Sequence, residues 1–574
     1  MSLSRIGGGG STVANRLFYA DNLGALRAHV ADASVDLVYL DPPFNSNANY
    51  NILFKSPGGH AADSQIQVFE DSWHWNNAAE DAFEQVMRAG HPRAFDLLRA
   101  MRAFLGENDM MAYLSMMAIR LIELHRVLKP TGSLYLHCDP TASHYLKLLL
   151  DGVFGADSYR SEISWKRSSA HNDGKQGRRQ YGNVRDTILF YTKSRSWTWN
   201  WLHTDYDRDY VESAYRHADP GGRRYRRGDL TAAKPGGDVS YLWPIKRDAG
   251  GGDWQADLDE EHLAPRPGWD YRQVPPYNRR FWAYSKENMR AFAEAGRLAY
   301  AASGMPEYKR YLDEMPGVPL QNAWHDIPPA VGGESLGYPT QKPLALLERI
   351  IAASSNEGDV VLDPFCGCGT AILAAQKLGR QWIGIDVTHL AISLIERRMK
   401  DAFPSADFTV EGTPKDLASA LDLARRDKYQ FQWWAVSMVD AVPLNGRKKG
   451  ADGGIDGIIY FKPDGKRTEK ALVSVKGGAN VGVQMIRDLH SAMEREKAPI
   501  GVFVTAAPPT GPMLREAAAV GRFTDEFDRG WPRLQILTLA ELFQGKRPAI
   551  PFVDPLVALR RARREEVEKQ ERLL

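Results

Sequence analysis

Between Asp359 and Asp386 the chain carries the pattern that most narrows what it can fold into. Asp359-Val-Val-Leu362 reads as a buried strand, Asp363-Pro-Phe-Cys-Gly367-Cys-Gly369-Thr370 as a glycine-rich loop, Ala371 to Leu378 as a helix and Gln381-Trp-Ile-Gly-Ile385 as a second strand. Strand, helix and strand in so short a span make a βαβ unit, which joins parallel strands through a helix on the sheet face. The loop lies where glycines let backbone approach a ligand at a helix amino end, and Asp386, at the end of the next strand, can accept hydrogen bonds from ribose hydroxyls. A dinucleotide fingerprint would place a small residue three after the second glycine; Ile372 stands there instead. A nucleoside cofactor without a pyrophosphate fits the loop better, and a glycine-rich turn with no ligand is the plain alternative.

A second unit precedes it. Val35-Asp-Leu-Val-Tyr-Leu40 reads as a buried strand, stopped by Asp41-Pro42-Pro43-Phe44, where two prolines forbid its continuation. A carboxylate is thereby held at a strand's carboxyl end. Met110 to Leu128 has helical periodicity, Lys129 to Gly132 reads as a turn, Ser133 to His137 as a strand, and Thr187 to Thr192 as another. A helix from Pro343 to about Ser354 leads into the βαβ unit. In a doubly wound sheet, the strands ending at Asp41 and Asp363 are expected side by side where strand order reverses, the place where ligands bind.

From about residue 160 to 335 this alternation fades and nine of the 15 tryptophans occur. Between Arg160 and Leu230 there are 15 Lys or Arg against nine Asp or Glu, densest at Arg223-Arg224-Tyr225-Arg226-Arg227. Basic residues interleaved with aromatics suit phosphate contacts and base stacking. A solvated basic face over a tryptophan-rich core is the alternative.

Length and composition set the outer bounds. At 574 residues, 43% hydrophobic and 25% charged, two to four globular domains are expected. A net charge of +2 is too near zero for the total to argue for nucleic acid. Three cysteines exclude a disulfide scaffold, and Cys366 with Cys368 lacks the partners of a zinc site. The opening residues have no secretory core and no run approaches the ~20 apolar residues that span a bilayer, so a cytoplasmic, nucleoid-associated protein is expected.

The loop Asp363 to Thr370 resembles the S-adenosylmethionine loop of amino-methylating DNA methyltransferases, Asp41-Pro42-Pro43-Phe44 resembles their catalytic tetrapeptide, and Thr340-Gln-Lys342-Pro343 their other cofactor motif. Catalytic motif first, a long variable region, then the cofactor loop is the order of the circularly permuted class called beta. Arg126 to Cys138 and Ile188 to Lys193 are similar to the same class. The resemblance implies a doubly wound, Rossmann-like α/β methyltransferase sheet with an inserted target-recognition region. It implies that Asp363, Phe365, Gly367, Gly369 and Thr370 line the cofactor, with Asp386 on its ribose and Thr340, Lys342 and Pro343 on its other side. Taken alone, Thr340 to Pro343 would be an ordinary helix start. Double-stranded DNA is the implied partner, bound in part through Arg223, Arg224, Arg226 and Arg227, and the resemblance also admits a homodimer.

The chemistry accounts for these residue types. An exocyclic base amine is a poor nucleophile because its lone pair is delocalised into the ring. The Asp41 carboxylate can accept one amine proton while the Pro42 carbonyl accepts the other, localising that lone pair. Pro42 and Pro43 fix the backbone, and Phe44 offers a ring for a base extruded from the duplex. Asp41 with Phe44 resembles adenine-N6 enzymes more than cytosine-N4 enzymes, in which serine commonly replaces the acid; the cytosine reading stays as an alternative.

After about residue 412 a charged helical stretch leads to strands at Gly457 to Phe461, Ala471 to Val475 and Ile500 to Thr505, with a helix from Val483 to about Lys497. Gly450-Ala-Asp452-Gly-Gly-Ile-Asp456-Gly and Leu472-Val-Ser474-Val-Lys476-Gly-Gly resemble a restriction-endonuclease-like domain of the Mrr type, in which an Asp and an acidic or Gln residue two before a Lys gather Mg²⁺. Asp456 and Lys476 match; Ser474 departs and removes a ligand, unless Asp452 or Glu494 substitutes. The domains expected are a flexible leader (1–11), a catalytic half (12–194), a target-recognition region (195–335), a cofactor-binding half (336–412), a nuclease-like domain (413–555) and a charged helical tail (556–574). Three readings follow: a DNA adenine methyltransferase whose last domain binds DNA without cutting, a single-chain restriction-modification protein with Mg²⁺-dependent cleavage, and a non-catalytic DNA-binding protein.

Overall fold

Val35–Leu40 (β2) is buried along its whole length, and its one charged side chain is satisfied from both sides: Asp36 accepts from Lys129 Nζ at 2.7 Å and from the Val360 amide at 2.9 Å. A strand covered on both faces reads as an apolar run, as the sequence shows. The computed structural model describes residues 15–42, 49–55, 61–70, 75–168, 181–234, 240–259, 266–331, 334–336, 341–443, 454–461, 463, 469–525 and 528–551. They form two bodies, one made of the chain up to Asn200 and from Gln321 onward, the other of Trp201–Leu320.

In the first body β2 is the centre of a nine-stranded sheet. Its other strands are β1 (Asn15–Tyr19), β3 (Leu128–Cys138), β4 (Tyr159–Lys166), β5 (Arg185–Thr192), β6 (Ala323–Trp324), β7 (Val360–Asp363), β8 (Gln381–Asp386) and β9 (Phe408–Glu411). The order is β6-β4-β5-β3-β2-β7-β8-β1-β9, with every pairing parallel except those of β5 with β3 and β4. Leu37 pairs with Val361 and Val38 with Leu362, so the strands that end at Asp41 and Asp363 are neighbours. Successive crossovers lead from β2 to one side and from β7 to the other, and this reversal opens the crevice beyond their carboxyl ends.

One helix shows how the sheet is covered. Asp109–Val127 is capped by Asn108, which accepts from the Met111 amide, and is buried on nearly every side. A helix apolar all round belongs inside a core, and each large side chain it buries contributes about 1.5–3 kcal/mol. The turn expected at Lys129 to Gly132 lies within β3: pairing jumps from Val35–Leu128 to Leu37–Ser133, so the strand opens there rather than turning. Gly132 allows this, because a Cβ on it would lie 2.7 Å from Leu128 and 3.0 Å from the Lys129 carbonyl oxygen.

The remaining C-terminal part of this body is a five-stranded sheet in sequence order, Val442–Pro443, Gly457–Phe461, Glu469–Lys476, Ile500–Thr505 and Leu534–Thr538. Val483–Arg495 packs on it with Ile486, Leu489 and Met493 turned inward. Helix Lys428–Ser437 joins it to the larger sheet: Tyr19 donates to Gln430 Oε1 at 2.9 Å, and Ser437 Oγ pairs with His389 Nε2 at 2.7 Å.

Trp201–Leu320 is a body of short strands, the largest sheet having four. Its core holds Trp243, Trp254 and Trp282, each donating its indole N–H, to the Tyr300 hydroxyl and to the Ala302 and Tyr241 carbonyls respectively. These tryptophans therefore form the interior of this body, while Trp201 and Trp269 are exposed. Among the described residues no helix is long and apolar enough to cross a membrane.

Candidate active site

The crevice beyond β2 and β7 gathers three carboxylates, Asp41, Asp363 and Asp386, and one ammonium. Lys342 Nζ bonds Asp41 Oδ2 across 301 residues of chain. The other oxygen, Asp41 Oδ1, is buried and accepts no hydrogen bond from any described residue. Such an oxygen is costly unless a donor arrives, and in a cleft it marks where one belongs. Pro42 is buried behind it. Pro43, Phe44 and Thr340 lie outside the described residues. Pro343 caps the helix Leu344–Ser354, whose first amide donates to Glu334 Oε1 at 2.6 Å.

The glycine-rich loop is built from backbone. Gly367 (φ 48°) and Gly369 (φ 78°) both lie in the left-handed region that side chains resist. A Cβ on Gly369 would come within 2.6 Å of Ile395 on the helix His389–Ala402. Asp386 fixes the loop from below: its Oδ2 accepts from the Gly367 amide at 2.9 Å, and its Oδ1 from the Thr388 amide and hydroxyl at 2.8 and 2.7 Å. Asp363 Oδ1 accepts from the Phe365 amide at 3.0 Å. Asn22 donates to the Pro364 carbonyl at 2.9 Å and is itself held by Arg120 at 2.6 Å. Arg398, buried beneath, donates to the Cys368 carbonyl. Thr370 opens the following helix, with its hydroxyl 3.5 Å from Cys368 Sγ. Cys366 and Cys368 are buried thiols of this loop.

The electrostatics are those of crowded acids. Burial, then the facing Asp41 and Asp386, pushes the Asp363 carboxyl well above the ordinary range, against the Phe365 amide and Lys342. Burial likewise raises Asp386 despite its Thr388 and Gly367 bonds. A crevice that penalises its own negative charges in this way is complementary to a cation.

Behind Asp41 lies a group that sequence reading missed. His137, wholly buried on β3, pairs its Nδ1 with the Tyr39 hydroxyl at 3.0 Å and its Nε2 with Asp186 Oδ2 at 3.1 Å, and its ring meets Trp165 edge-on. Burial pushes Asp186 up, but the His137 bond and the charges of Lys342 and Arg167 more than offset it and leave the carboxyl below its ordinary value. A polar residue at an inward strand position was the available signal.

The arginine cluster lies on and just before the strand Arg224–Gly228 of the Trp201–Leu320 body. Arg223 bridges Asp313 and Glu314 at 2.9 and 2.8 Å, Arg224 donates to the Tyr215 and Val211 carbonyls, and Arg227 reaches Glu307 at 3.1 Å. The Arg226 guanidinium lies 5.9 Å from the Tyr215 ring centre. At least three of these four side chains tie the body together.

In the C-terminal sheet the three sequence-selected residues do meet. Asp456 Oδ2 accepts from the Val475 amide at 2.6 Å and the Ser474 hydroxyl at 3.4 Å, and Lys476 Nζ stands 3.9 Å away. Glu494 is turned elsewhere, bonded to Arg533 at 2.7 Å, and Asp452 is outside the described residues.

Residues 35–397 match the model of a family described as DNA methylase, and residues 423–524 that of a family described as restriction endonuclease. The Type II methyltransferase M.EcaI of Enterobacter cloacae is 28% identical over 421 residues, covering 73% of this chain and 76% of its own. The DNA adenine methyltransferase YhdJ of Escherichia coli K12 is 25% identical over 393 residues, covering 67% and 83%. Among solved structures, TTHA0409 of Thermus thermophilus superposes with a TM-score of 0.31 at 16% identity, over 69% of this chain and 99% of its own.

Proposed function

Since the chain belongs to the DNA methylase family, we propose that it transfers a methyl group from S-adenosylmethionine to the N6 of adenine in duplex DNA, on a base turned out of the helix. The observation that carries this reading is Asp41: a carboxylate at the switch point of the sheet with one oxygen held by Lys342 and the other buried without a donor. The cofactor fits the residues present, for a crevice of mutually repelling carboxylates suits a sulfonium cation, and a left-handed loop with no room for a Cβ at Gly369 suits close approach of a ligand to backbone.

When bound, S-adenosylmethionine supplies an electrophilic methyl. Asp41 Oδ1 accepts one proton of the target amine and the Pro42 carbonyl the other, which draws the lone pair out of the ring and toward the methyl. As the amine nitrogen gains a bond it must lose a proton, and Asp41 is the base in reach. Phe44 stacks on the extruded base, a contact worth about 1–3 kcal/mol. Phe365, Gly367, Gly369 and Thr370 hold the methionine side of the cofactor, Asp386 its ribose, and Thr340 and Pro343 its far side. Arg223, Arg224, Arg226 and Arg227 belong to the DNA-facing region. The acid at 41 supports adenine over cytosine. A homodimer of the permuted, beta-class type acting in the cytoplasm goes with this reading.

The last domain we read as binding DNA without cutting it. One carboxylate, a serine hydroxyl and a lysine are a poor donor set for Mg²⁺, which wants several oxygen ligands. The described residues around Asp456 do not fit the ion.

Incubation with methyl-labelled cofactor and unmethylated bacterial DNA, followed by mass spectrometry of the nucleosides, tests the reading. N6-methyladenine that disappears in Asp41→Ala is expected. N4-methylcytosine would replace the substrate, and no labelled base despite cofactor binding would overturn the reading.

A further inference from the structure

The pair at the centre of the crevice assigns a role to Lys342 that goes beyond cofactor contact and rests on the methyl-transfer reading above. We propose that Lys342 is the positioning residue of Asp41: it occupies Oδ2 and turns Oδ1 toward the target amine.

The argument starts from what surrounds Asp41. Asp363 at the end of β7, Cys138 at the end of β3 and Tyr39 on its own strand each feel the Asp41 charge. His137 is spent on Tyr39 and Asp186. Arg167 lies 3.3 Å from Asp186. Lys342 is the basic side chain whose nitrogen bonds Asp41 itself, and it is nearly buried, with a side chain 10% exposed against 15% for Asp41.

Remove that ammonium and Oδ2 loses the side-chain bond that sets the rotation of the carboxylate, so that Oδ1 is no longer aimed. With Oδ2 fixed, rotation of the carboxylate is lost before substrate arrives, and that ordering cost does not fall on the reaction. The main-chain setting supports this: Lys342 is followed by Pro343, whose ring fixes the backbone at the entry to the helix Leu344–Ser354.

The test measures single-turnover methylation of DNA at saturating cofactor, with cofactor affinity measured separately by calorimetry, for the wild type, Lys342→Met and Lys342→Arg. The expected result for Lys342→Met is a rate at least tenfold lower with an affinity for S-adenosylmethionine within threefold of wild type. Lys342→Arg, which can still donate to Oδ2, is expected to recover most of the wild-type rate. Where the Met variant is unstable, Lys342→Gln carries the same comparison. A Met variant whose rate is normal at saturation but whose cofactor affinity has collapsed would overturn the proposal and leave Lys342 a cofactor residue. A loss equal in the Met and Arg variants would overturn it too, as a structural effect. Both leave the methyltransferase reading standing; a wild type that transfers no methyl to any DNA overturns that reading and this inference with it.

Discussion

Gly477 lies directly beneath Phe431: a Cβ built on it would stand 2.6 Å from the Phe431 ring and 3.1 Å from Ala424. Phe431 belongs to the helix Lys428–Ser437, which also accepts from Tyr19 through Gln430 and meets His389 through Ser437. One helix thus touches the residue after Lys476 on one side and the residue after Thr388 on the other. Gly477→Ala forces a methyl into that contact, and overpacking of this kind costs about 1–3 kcal/mol. A lower melting temperature is expected, partly restored by Phe431→Leu. An unchanged melting temperature in Gly477→Ala would mean that this helix does not rest there.

Gly369 makes a comparable demand in the cofactor loop. Its φ of 78° strains an L side chain by about 1–2 kcal/mol, and three atoms of Ile395 lie within 3.3 Å of the Cβ position. Gly369→Ala is expected to weaken S-adenosylmethionine binding more than tenfold in calorimetry. Adding Ile395→Ala relieves the clash but not the strain, so a partial return is expected. Binding equal to wild type in the single variant would show that the loop does not contact the cofactor.

His389 gives the protein an acid limit. Burial pushes its imidazole down to about 4, with Nε2 bonded to the Ser437 and Ser393 hydroxyls. A histidine depressed in the fold is neutral there while the unfolded chain takes up a proton below about 6.5. The stability it contributes is therefore fully present above pH 6.5 and is lost as pH falls from 6.5 toward 4, at up to about 1.4 kcal/mol per pH unit. Burial depresses His125 to about 4 as well, with Lys193 and His91 adding to it, so the two act in the same window. His389→Gln is expected to flatten part of the fall in melting temperature between pH 6.5 and 5; a slope identical to wild type would sink the assignment.

What the sequence made legible was local or periodic. Gly457–Phe461 and Ile500–Thr505 are strands at the residues where the apolar runs lie, and Leu37 and Val361 pair as a doubly wound order requires. Asp41 and Asp363 could therefore be placed together from strand ends alone. Lys342 on Asp41 could not, because the two are 301 residues apart and a lysine before a helix has no pattern that names its partner. Arg223 and Arg227 share this difficulty: their acidic partners are 80 to 91 residues away, so counting charge in a window saw the cations and missed what neutralises them. The opening of β3 at Lys129 to Gly132 looked like a turn because Pro and Gly mark turns and strand bulges alike.

The C-terminal site yields a gain-of-binding prediction. Ser474 is almost fully buried and its hydroxyl donates a hydrogen bond to Asp456 at 3.4 Å, so the position two before Lys476 holds a donor where a metal would want an acceptor. Ser474→Asp places a second carboxylate against Asp456. In the absence of metal the like charges repel, and the variant is expected to melt lower than wild type. Added Mg²⁺ relieves the repulsion by binding only the folded form, and at one hundred times its dissociation constant that linkage stabilises by about 2.7 kcal/mol. The melting temperature of Ser474→Asp is thus expected to rise with Mg²⁺ while that of wild type stays constant, and Asp456→Ala in the same background is expected to abolish the rise. A wild-type protein that already gains stability from Mg²⁺ through Asp456, and nicks unmethylated DNA in the same buffer, would replace the non-cutting reading with a single-chain restriction and modification enzyme.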